Sequence, residues 1–96
     1  MKTWEIDTNT EKRVRWKNAN GHILVEIEKY KPYSFTNQKE DEWTVKIGYR
    51  DWTAYTFFTV NIVSTKKEAY DLAKNLMKKY KHLRTKEELE ELFGGL

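Results

Sequence analysis

The chain has 96 residues, no cysteine, a formal net charge of +3 and 34% charged residues. That length makes one domain with a single two-layer core, and the missing thiols exclude disulfides and thiolate metal sites. No apolar run approaches the roughly 20 residues that span a bilayer and no apolar signal segment opens the chain, so no membrane partner and a cytoplasmic location are expected. The mild basic excess permits nucleic acid as a partner and argues against an acidic mimic of it.

Trp4 and Ile6 alternate within residues 1–7 and predict a short first strand, and Asp7-Thr8-Asn9-Thr10 has turn composition. In Arg13-Val14-Arg15-Trp16-Lys17, Val14 and Trp16 point one way and three cations the other. Asn20-Gly21 is a strong hairpin signal, and the strand after it, 22–30, places Ile23, Val25 and Ile27 on one face. Residues 31–41 form the one long loop and hold the only proline; Tyr33 and Phe35 are expected to fold back on the core. Trp43, Val45, Ile47 and Tyr49 alternate with Thr44, Lys46, Gly48 and Arg50, a half-buried strand. After a break at 50–54 comes the β-rich run 55–63, for which Phe58, Val60 and Ile62 are the expected core set.

The period then changes. Ala69, Leu72, Ala73, Leu76 and Tyr80 recur at three and four, the stripe of an amphipathic helix. Thr65-Lys66-Lys67-Glu68 supplies its capping box. A second box, Thr85-Lys86-Glu87-Glu88, opens a short helix with Leu89, Leu92 and Phe93 on one side, ended by Gly94-Gly95. The sum is an α+β domain over 1–96. Residues 1–63 form an antiparallel meander of four or five strands, 65–81 a long helix packed on one face, and 85–93 a short C-terminal helix.

Signals of catalysis are weak. His22 and His82 are isolated, and there is no nucleophile elbow, Gly-rich phosphate loop or metal-binding histidine pair. Glu26 and Glu28 share a strand face, where cross-strand pairing with Arg15 or Lys46 is the simpler use. No catalytic residue, cofactor or metal is therefore expected, and the chain reads as a non-enzyme. Parity sends Arg13, Arg15, Lys17, Lys46 and Arg50 to the sheet face away from the helix, and Tyr55 and Phe57 with them. Cations interleaved with aromatic rings suit nucleic acid, since the cations meet phosphates while rings stack on unpaired bases. DNA or RNA is thus the expected partner. The long helix offers a second basic side in Lys67, Lys74, Lys78 and Lys81.

From Trp43 to Tyr80 the chain resembles the three-stranded-sheet-plus-helix DNA-binding domains of phage integrase arms and plant ethylene-response factors. Trp43-Thr44-Val45-Lys46-Ile47, the strand around 57–60, Thr65-Lys66-Lys67-Glu68-Ala69 and Ala73 carry the likeness. It implies strands entering the major groove, with Arg13, Arg15, Lys46 and Arg50 on the backbone and Trp52 near the hairpin tip. The meander-then-helix order is also similar to single-strand-binding coactivator and Whirly-type domains, which implies a dimer. The alternative function is a protein-interaction module: a viral, phage or mobile-element accessory factor acting on a host protein, or a homodimer joined through Leu89, Leu92 and Phe93.

Overall fold

The two-residue alternation of the first two-thirds of the chain becomes one antiparallel sheet, in a computed structural model that describes residues 4–19, 22–30, 42–52 and 54–94. Its strands are β1 (Trp4–Asn9), β2 (Arg13–Asn18), β3 (Ile23–Tyr30), β4 (Glu42–Arg50) and β5 (Tyr55–Val63), and they lie side by side in chain order. Helices α1 (Lys66–Lys79) and α2 (Lys86–Phe93) follow. The expected α+β meander is therefore present with five strands. The loop aromatics Tyr33 and Phe35 and the Asn20-Gly21 turn lie outside the described residues.

The first strand is longer than its sequence suggests. Asp7, Thr8 and Asn9 extend β1, and the turn moves to Thr10, whose hydroxyl accepts the Arg13 N–H at 3.1 Å. Threonine favours extended backbone, and pairing of Thr8 and Asn9 with Arg15 and Val14 of β2 overrides the turn preference of Asp and Asn.

Register stacks the apolar parity of each strand against the next: Trp16 opposite Val25, Val25 opposite Ile47, Ile47 opposite Phe58. Val14, Ile27 and Val45 make the adjoining row. All of these but the half-buried Phe58 are buried in one core with Ala69, Ala73 and Leu76 of α1. The two alanines let the helix axis approach the sheet, and Tyr70 meets Trp16 edge-on at 5.1 Å. Each fully buried Val, Leu or Ile contributes about 1.5–3 kcal/mol of transfer free energy, so this layer is the main source of stability.

The fifth strand departs from the expected parity. Val45 and Lys46 face Asn61 and Thr59, so β5 carries an extra residue there, a bulge that flips everything beyond it. Phe58 still points inward and packs with Phe93, but Val60 and Ile62 are exposed and Val63 turns to the core instead.

Both helices begin on threonine. The Thr65 hydroxyl accepts the Glu68 N–H at 3.2 Å, while the Glu68 carboxylate takes the hydroxyl proton rather than the backbone, so the first box is half formed. The Thr85 box is complete. Burying Asn18 joins the two layers. Its amide donates to the Leu83 carbonyl at 2.9 Å and its oxygen accepts the Ile23 N–H at 3.2 Å. The Trp4 indole donates to the Met77 carbonyl at 3.0 Å, satisfying one of the orphan acceptors in the last turn of α1.

Candidate nucleic-acid interface

Every second residue of β2 to β5 faces away from the helices. One row across this open face is Arg15, Glu26, Lys46 and Thr59; the next, nearer the β4–β5 tip, is Lys17, Leu24, Gly48 and Phe57. Parity thus places Arg13, Arg15, Lys17 and Lys46 on the expected side.

Arg13, Arg15 and Lys46 are committed to carboxylates. Glu26 is only 2% exposed, and one of its oxygens accepts from Arg15 at 2.7 and 3.0 Å. Arg13 Nε stands 3.3 Å from the same oxygen, and Lys46 Nζ 3.8 Å from the other. Glu28 accepts from Arg13 and, at 3.0 Å, from Lys46, while Asp7 lies 3.8 Å from Arg15. A buried carboxylate is tolerable only when paired, so these cations neutralise their own sheet before they can serve a phosphate. Titration follows the geometry. The hydrogen bond to Glu28 raises the Arg13 guanidinium above its ordinary value, against the opposing effect of burial. Burial pushes the Glu28 carboxyl up, but hydrogen bonds from Arg13 and Lys46, with their charges, outweigh it and hold the group below the usual carboxylate range.

Gly48 shapes the aromatic strip. A Cβ there would run into the Thr56 carbonyl oxygen and stand 2.6 Å from Phe57 Cδ1, so only glycine lets the β5 backbone and that ring lie so close over β4. Tyr55 stacks on Phe57 with centroids 6.3 Å apart and planes 8° from parallel. The Arg15 guanidinium lies 4.7 Å from the Tyr55 centroid and 5.5 Å from that of Phe57. Phe57 is half-buried and Tyr55 is 47% exposed.

The tip gathers the rest. Asp51 and Ala54 exchange backbone hydrogen bonds of 2.8 and 3.3 Å, closing the hairpin, and Trp52 projects from it 99% exposed. Arg50, Asp51, Trp52, Tyr55 and His22 line one open cleft of about 510 Å³. Beside it, Arg84, Lys86 and Glu87 at the start of α2 border a second hollow with His22 and Arg50. Lys86 holds the two parts together, 3.6 Å from Asp51 and 5.9 Å from the Tyr49 ring centre. On the far side of Tyr49, the hydroxyl donates to Glu90 at 2.9 Å. Asp51 and Glu87 offset part of the positive charge; Arg50, Arg84 and Lys86 exceed it by one.

Of the eight expected residues, the structure brings Arg50, Trp52 and Tyr55 to one cleft, with Phe57 beneath Tyr55. Arg13, Arg15 and Lys46 form a paired network that touches the cleft only through Arg15 against Tyr55, and Lys17 sits half-buried at the β2 end of the Leu24 row. His22, Arg84 and Lys86 were not legible as site residues, being far apart in the chain. The strand register alone would have found His22, whose carbonyl accepts the Arg50 N–H at 2.8 Å. The apolar side of α2 is also consumed within the fold: Leu89 is buried, and Phe93 stacks on Phe58 and meets Tyr80 edge-on. Only Leu92 of the expected trio stays exposed, so those three residues do not form a docking stripe.

Among the described residues no cluster of His, Asp or Glu is placed to hold a metal ion, and no helix is long and apolar enough to cross a membrane. No family model matches the chain, and no curated protein or solved structure is similar enough to count as a relative. The residues of the cleft carry the functional reading by themselves.

Proposed function

We propose that this chain is a small non-catalytic nucleic-acid-binding protein that takes a single-stranded segment at the β4–β5 tip. The observation that carries the reading is the fully exposed Trp52 indole, set beside Arg50 and Tyr55 in one cleft. A flat ring without intramolecular cover is a platform for an unpaired base, and base–aromatic stacking contributes about 1–3 kcal/mol. Arg50, exposed at the end of β4, meets the adjoining phosphate. Glu26 and Glu28, the carboxylates best placed for acid–base work, are tied to three cations, which favours binding over catalysis.

Fluorescence anisotropy with labelled single-stranded and duplex oligonucleotides, over a salt series, tests this. Trp52→Ala should weaken single-strand binding roughly 5- to 150-fold, and Arg50→Ala should lower the salt slope by about one. Arg13→Lys, a change inside the paired network, should leave affinity within about twofold. Absence of binding at low salt, or a Trp52→Ala protein that binds as the parent does, overturns the proposal.

A further inference from the structure

Strand β5 runs nine residues, Tyr-Thr-Phe-Phe-Thr-Val-Asn-Ile-Val, without a single charge, in a chain of which 34% is charged. It is also an edge strand. Edge strands ordinarily carry charge or an irregularity that prevents pairing with another chain. The opposite edge obeys this rule: β1 holds Glu5 and Asp7 and a register shift between Ile6 and Thr8. The bulge of β5 falls only near its middle, leaving Tyr55 to Thr59 regular.

Hydrogen-bond parity shows what that stretch offers. Asp51 and Ala54 exchange their bonds inside the hairpin, and the Arg50 N–H goes to β3. Alternation then makes Thr56 and Phe58 the residues bonded to β4, with Tyr55, Phe57 and Thr59 directing N–H and C=O to the free side. Beyond the bulge the edge closes itself, because the Asn61 side chain accepts the Ile62 N–H at 2.8 Å. Exposed apolar surface gathers on the same strand: Tyr55, Val60 at 39% and Ile62 at 53%.

We propose that Tyr55–Thr59 pairs antiparallel with the same segment of a second copy, across a two-fold axis at Phe57, joining two sheets into one. In that register Tyr55 faces Thr59 of the other copy and Phe57 faces itself, three pairs that exchange two backbone bonds each. A strand that meets itself brings each charge near its own copy, so neutrality along β5 is what an isologous contact requires. Of the cations beside this stretch, Arg15 and Lys46 are already paired with Glu26 and Glu28, and Arg50 stands opposite Tyr55 at the outer end of the segment. Because the β1 edges remain blocked, growth stops at two. The two Trp52 tips then stand about 34 Å apart along the strands, ten residue rises, which makes the assembly bivalent.

Sedimentation velocity across a concentration series, with amide hydrogen exchange on the same samples, is the test. A discrete dimer is expected, with protection of the Phe57 and Thr59 amides rising in step with dimer fraction. Thr59→Pro removes an outward N–H without touching the β4 ladder and should weaken dimerisation at least about tenfold; Thr59→Ala keeps that N–H and should not. A monomer at about 1 mM, or a dimer in which those amides exchange as in the monomer, overturns the proposal. So does dimer loss on Leu92→Glu with none on Thr59→Pro, which assigns the contact to α2, and so do species heavier than a dimer. A chain that stays monomeric but gains protection on adding an extended foreign peptide also overturns it.

Discussion

Replacing Glu26 by alanine removes the carboxylate that holds the open face together. The side chain is 3% exposed and stands within 3.3 Å of Arg13 and 2.7 Å of Arg15, whose own side chain is 13% exposed. Deleting one partner of a buried pair costs about 3–5 kcal/mol, chiefly because the other charge is left in a poorly solvated place. Arg15 keeps Asp7 at 3.8 Å and the faces of Tyr55 and Phe57, and Lys46 keeps Glu28. These residual partners put the expected loss at the lower end, about 3 kcal/mol. For a domain of this size that corresponds to a fall in Tm of at least about 12 °C. Thermal and urea unfolding followed by circular dichroism would measure it, with Glu28→Ala, at 27% exposure, as the milder comparison. The double variant Arg15→Met with Glu26→Leu should recover most of the loss, since an apolar pair of similar volume leaves no unpaired charge. A Glu26→Ala protein within about 1 kcal/mol of the parent would refute the view that this network is buried and cohesive.

Asn18→Ala takes partners from the Leu83 carbonyl and the Ile23 N–H, and should cost about 1–3 kcal/mol; hydrogen exchange should show α2 loosening more than β3. Glu28 predicts an acid-dependent loss of stability. Its carboxyl is held below its ordinary 4.5 in the folded chain, so the contribution is present above that value and lost as pH falls through the lower native one. Urea midpoints between neutral and acidic pH should therefore decline less in Glu28→Gln than in the parent. An unchanged decline would show that other carboxylates set it.

The strand and helix periods were legible because they depend on local sterics and on one buried face. Trp16, Ile23, Val25, Ile27, Val45 and Ile47 fall on the core side by simple alternation, and Thr65 and Thr85 mark both helix starts. Parity fails where an extra residue enters the ladder, as at Thr59–Val60, because a bulge depends on how β5 meets β4. The same holds for the site. Pairing of Glu26 and Glu28 with Arg15 or Lys46 was legible from the shared strand face, and the structure forms it; the part of Arg13 and the near-complete burial of Glu26 depend on the strand register and were not.

By itself, then, the order of residues determined the element types, the buried side of each strand up to the bulge and the aromatic tip at Trp52. Tertiary structure alone decided how deeply the paired charges are buried, that His22 and Lys86 join Arg50 at one end, and that the uncharged β5 lies at an edge of the sheet. Local preference acts over three or four residues, whereas charge pairing and edge exposure depend on distances between strands that only the assembled sheet defines.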